Sequence, residues 1–102
     1  MALPPFLAFL DQTDPEFAQA IEKIASTAMK PGALDAKTKL LIAMALDAAH
    51  GAATGVESIA RTLRGMGTTD AEIAEALRIA YYAFGNGILA ASAAASSRNK
   101  PE

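Results

Sequence analysis

Between Lys39 and Asp47 the chain runs Leu40-Leu41-Ile42-Ala43-Met44-Ala45-Leu46 without one polar side chain. The run lies in a stretch, Lys37 to Ala49, that reads as helix and opens at Asp35. A helix that is apolar all round must be covered all round. With 102 residues the chain has room for one domain, 1–102, and no more. A domain of this size buries roughly 65% of the surface its unfolded chain exposes, so one copy has little material for the wrapping. Apolar residues, glycine left out, make up 52% of the sequence. Ordinary usage is about 45–50% with glycine included. The surplus predicts broad apolar patches, which on soluble proteins mark interfaces, here with copies of the same chain.

The rest of the sequence punctuates itself into helices. Asp14 is placed to cap a helix whose first position is Pro15, and Phe17, Ile21, Ile24 and Ala28 recur at helical spacing until Lys30-Pro31-Gly32 stops it. A further helix carries Val56, Ile59, Ala60 and Leu63 and ends at Gly65-Met66-Gly67. Thr69-Asp70-Ala71-Glu72 is a capping box, which opens a helix through Ile73, Leu77, Tyr81 and Phe84. Gly85-Asn86-Gly87 is expected to break or kink it, Ile88 to Ser96 to continue as helix, and 97–102 to fray. Strand-like alternation is absent, so the fold class is all-α.

Charge excludes several function classes. Nine basic and eleven acidic residues are scattered, without a basic stripe for phosphates or a polybasic run for an acidic membrane. No nucleic-acid or membrane partner is expected. The uncharged stretch Ile79 to Ser97 is long enough to span a bilayer, but its serines, glycines and Asn86 fit a buried, bent helix better. The N-terminal residues lack a basic region and contain Pro4-Pro5 and Asp11, unlike a signal peptide. With no cysteine there is no disulfide, thiolate nucleophile or thiolate metal ligand, which fits a cytoplasmic setting. No nucleotide fingerprint is present, and no cofactor is expected. One histidine per chain makes a poor ligand set, so no metal site is expected either.

The order of the parts resembles a known family. Leu34-Asp35-Ala36-Lys37-Thr38-Lys39, an apolar helix, Ala49-His50-Gly51, Arg61-Thr62-Leu63-Arg64-Gly65-Met66-Gly67 and the Gly67-to-Leu77 segment with the pattern G-x-T-x-x-E-I-x-E-A-L follow one another. Residues 30–95 thereby resemble the carboxymuconolactone decarboxylase family, which includes the alkyl hydroperoxidase D-like proteins. The resemblance implies an all-helical subunit built on a helical hairpin, intertwined into a trimer or hexamer with its sites near subunit contacts. It also implies a site pattern, Glu and then, twelve positions on, Cys-x-x-Cys-x-x-x-His, which falls here on Leu40, Ala52, Gly55 and Ile59. None of the four carries the expected group. Peroxide reduction by a thiolate is thus excluded, and decarboxylation relying on that His loses its matching residue.

One polar constellation survives. Asp47, His50, Thr54, Glu57 and Arg61 stand at offsets that form one stripe if the helix is continuous. His50 is the group able to move protons near neutral pH, and Asp47 or Glu57 could orient it. Thr54, Tyr82 and Asn86 are the candidate ligand-binding residues. The same stripe also reads as a solvated helix face, and the tyrosines as interface residues. Two functions stay open: a cofactor-free enzyme or binder of a small carboxylated or lactone-like molecule, and a non-catalytic oligomeric scaffold.

Overall fold

A computed structural model of the protein describes residues 3–96, so the tail expected to fray, 97–102, lies outside the described residues. All regular elements among them are helical: α1 (Leu10–Thr13), α2 (Pro15–Met29), α3 (Ala36–Ala49), α4 (Ala53–Gly65) and α5 (Asp70–Ser92), with single 3-10 turns at Pro5–Leu7 and Ala93–Ser96. The described residues divide into two compact units, parted between Ala36 and Lys37.

In the first unit, Asp14 ends α1 and caps α2, accepting the Phe17 N–H at 3.2 Å, with Pro15 at the first helical position. Ala18 is its buried residue, whereas Phe17 and Ile24 of the helically spaced apolar set are exposed. Lys30 leaves the helical region and ends α2 ahead of Pro31.

The second unit holds the hydrophobic core. Met44 of α3, Ala60 and Leu63 of α4 and Ile73 of α5 are buried, with Leu40, Leu41, Val56, Ile59, Ala76 and Leu77 packed against them. Met44 and Leu63, both at 0% exposure, are the fully enclosed large side chains. The apolar run of α3 therefore has one sheltered face within the chain, while Ile42 and Leu46 stay exposed, Leu46 at 57%.

Two matching turns connect these helices. At the end of α3, Gly51 takes φ +74°, its N–H donates to the Ala48 carbonyl at 3.1 Å, and the Ala52 N–H donates to the Asp47 carbonyl at 2.8 Å. At the end of α4, Gly67 takes φ +87°, its N–H donates to Arg64, and the Thr68 N–H donates to Leu63, both at 3.0 Å. Each is the Schellman arrangement, in which a left-handed residue lets the chain turn back and satisfy the last carbonyls.

The Thr69–Glu72 capping box then opens α5. The Thr69 hydroxyl accepts the Glu72 N–H at 3.1 Å, and the Glu72 carboxylate accepts the Thr69 N–H at 3.0 Å. α5 passes unbroken through Gly85-Asn86-Gly87, contrary to the expected break. Neither glycine has a positive φ, so each weakens the helix without terminating it. No helix among the described residues is long and apolar enough to cross a membrane.

Candidate functional site

The turn between α3 and α4 carries the only histidine of the chain. His50 is the residue just past α3, and its Nδ1 lies 2.8 Å from the Leu46 carbonyl oxygen. A carbonyl can only accept, so Nδ1 carries the proton and the neutral ring keeps its lone pair at Nε2. The ring is exposed. The same Leu46 carbonyl also accepts the backbone N–H of His50 at 3.2 Å, so the ring adds a second donor to a carbonyl that is already paired.

The polar stripe does not lie on one continuous helix. The left-handed Gly51 interrupts it after Ala49, and helix resumes at Ala53. Asp47 and His50 thus lie on the far side of the turn from Thr54, Glu57 and Arg61. Glu57 accepts from the Arg61 Nη2 at 3.0 Å, one helical turn on, and both side chains are largely exposed. Among the described residues, no hydrogen bond or ion pair joins His50 to Asp47 or Glu57. Thr54, Tyr82 and Asn86 are exposed, Tyr82 at 69%.

Asp47 is half-buried, and its carboxylate lies against Gly55. A Cβ built on Gly55 would stand 3.0 Å from the Asp47 Cγ and closer still to a carboxylate oxygen. The position that resembles the second cysteine of the thiol pattern is therefore occupied by a neighbouring carboxylate. The other three positions carry no reactive group: Ala52 precedes α4, and Leu40 and Ile59 pack on the core. Sequence spacing could not reveal the Asp47–Gly55 contact, because it depends on the chain reversing at Gly51.

Two open depressions adjoin the turn. One, of about 340 Å³, is lined by Ala48, Gly51, Ala52, Ala53, Val56 and Glu57. The other, of about 400 Å³, lies between the end of α3 and the middle of α5, lined by Ala48, Ala49, Leu77, Ala80, Tyr81 and Phe84. Both are chiefly apolar and open to solvent. No group of three or more His, Asp or Glu side chains among the described residues is placed to hold a metal ion.

Neither a curated protein nor a solved structure gives a significant match to the chain. The sequence profile of one family does match, over residues 15–97, beginning with α2 and so earlier than the resemblance over 30–95. With that match over most of its length, and only helices as regular elements among its described residues, the chain belongs to the carboxymuconolactone decarboxylase family.

Proposed function

We propose that this chain is the subunit of a homo-oligomer, a trimer or hexamer, that takes up a small carboxylated or lactone-like molecule without thiol chemistry. His50 is its proton-handling residue. The observation that carries this reading is the Nδ1–H bond to Leu46, which fixes the tautomer and leaves Nε2 free at an exposed turn beside two apolar depressions. Loss of CO2 from a carboxylate leaves an electron pair on carbon, and that carbon must gain a proton. An imidazolium can deliver it from Nε2 and recover it from solvent. Exposed Ile42 and Leu46 on α3 and Tyr81, Tyr82 and Phe84 on α5 supply apolar surface for neighbouring subunits that would close the depressions. A site completed in this way is cytoplasmic in our reading, in keeping with a cysteine-free chain.

The test is incubation of the purified protein with carboxymuconolactone, with released CO2 as the readout. Turnover that disappears in His50→Gln, with the oligomer and its helical content retained, supports the reading. No turnover by the unaltered protein removes the decarboxylase form of it.

A second reading has its own observation. His50 bonds the Leu46 carbonyl, Glu57 is paired with Arg61, and the Asp47 carboxylate rests on Gly55, so all three proton-transfer candidates are engaged within the chain. On this reading the chain is a non-catalytic scaffold and the His50 ring reinforces the end of α3 with a second bond to Leu46. His50→Gln would then lower thermal stability, and the unaltered protein would be inert toward lactones.

A further inference from the structure

We infer that Asp47 is a positioning residue that locks the α3–α4 turn from both sides, and that position 55 is glycine to seat its carboxylate. The backbone of Asp47 closes one helix: its carbonyl accepts the Ala52 N–H at 2.8 Å in the bond that completes the turn of α3. Its side chain faces the beginning of the next. Gly55 is the third residue of α4, and the carboxylate lies against it. That first turn needs such a group. Ala52 precedes α4 without a side chain able to cap it, and the first turn carries no acidic residue.

Unpaired N–H groups and the helix dipole make the start of a helix favourable for negative charge. A carboxylate delivered from the preceding helix brings negative charge to that end, where the local sequence has none, by proximity to the dipole and not through a hydrogen bond. The seat explains the glycine. Gly55 has no positive φ, so its backbone conformation is open to any residue, and alanine would ordinarily strengthen the helix. The Asp47 side chain is what a Cβ there would meet first, so a side chain at position 55 requires the carboxylate to leave its seat. His50 lies within the locked segment, so the lock also holds the backbone that carries its ring, while the Leu46 carbonyl holds the ring itself. The use of that ring in proton transfer rests on the function proposed above; the lock itself does not.

The experiment compares the unaltered chain with Gly55→Ala, Asp47→Ala and the double variant by thermal melting. Gly55→Ala is expected to lower the midpoint in the unaltered chain and to raise it in the Asp47→Ala background, a reversal of sign that independent sites do not give. Asp47→Asn keeps the bulk and loses the charge, so Gly55→Ala should remain destabilising beside it.

Hydrogen exchange supplies the readout that a general loss of stability would not produce. In Asp47→Ala the Ala52 and Val56 amides should exchange about tenfold faster relative to the Ile73 amide at the start of α5. A Gly55→Ala variant more stable than the unaltered chain, or unchanged relative exchange at Ala52 and Val56, would overturn the lock. Carboxymuconolactone turnover in His50→Gln keeps the two proposals apart: turnover that survives removes the role of His50, whatever the melting cycle gives.

Discussion

The carboxylate of Glu72 pairs with the ammonium of Lys37 while accepting the Thr69 N–H, so one side chain ties the start of α3 to the start of α5. The hydrogen bond from Lys37 is the main cause that lowers the Glu72 pKa to about 2 from an ordinary 4.5, and the Thr69 N–H adds to it. A depressed carboxylate stabilises the fold fully above its unfolded pKa, and this contribution is lost as pH falls through the folded value. The midpoint gap between the unaltered chain and Glu72→Gln should therefore be widest at neutral pH and close between about pH 4.5 and pH 2. A gap that stays constant across that range would contradict the linkage.

Thr68 presents the opposite situation. It is buried at the turn after α4, and its hydroxyl has no hydrogen-bond partner. Leaving a buried hydroxyl unpaired costs about 1–3 kcal/mol, whereas an apolar group of the same shape avoids this. Thr68→Val should be neutral or stabilising by up to about 1 kcal/mol. Thr68→Ser, which keeps the hydroxyl and removes a methyl, should destabilise. Urea unfolding of the pair reads the difference.

Met44 and Leu63 are the large side chains that the core encloses completely. Leu63→Ala removes packing on α3 and α5 together and should cost about 2–5 kcal/mol, a large part of the ~5–15 kcal/mol that holds an ordinary domain folded. A loss below about 1 kcal/mol would mean that the unit collapses around the gap, against the close packing of protein interiors.

Assembly is open to a direct check. Light scattering at micromolar concentration should give a small multiple of 10.5 kDa. Leu46→Glu, at an exposed position of α3 away from the buried Met44, should shift the mass toward a single chain. A well-folded single chain in the unaltered protein would contradict the proposed oligomer.

Helix starts and stops were the legible part of the sequence, because their chemistry is local. Asp14 with Pro15, Thr69 with Glu72 and the stop at Gly67 each act within a few residues, and the structure places all three as the sequence implies. The candidate site was less legible. Its stripe assumed that helix runs through Gly51, although Ala49-His50-Gly51 carries the same terminating glycine as Gly65-Met66-Gly67. The Asp47–Gly55 and Lys37–Glu72 contacts leave no trace in spacing, since the first needs a chain reversal and the second brings together residues far apart in sequence. At Gly85 and Gly87 composition misled: two poor helix formers predicted a break that continuous backbone bonding does not show.

That uninterrupted α5 has a thermodynamic consequence. Its 23 residues extend for about 34 Å at the usual rise per residue. Beyond Ala80 it contains two glycines and exposes Tyr81, Tyr82, Phe84, Ile88 and Leu89. Propensity alone holds such a segment only marginally, and most helical stability comes from burying a face. Dilution should therefore melt these last turns as well as separate any subunits, so ellipticity at 222 nm would depend on protein concentration.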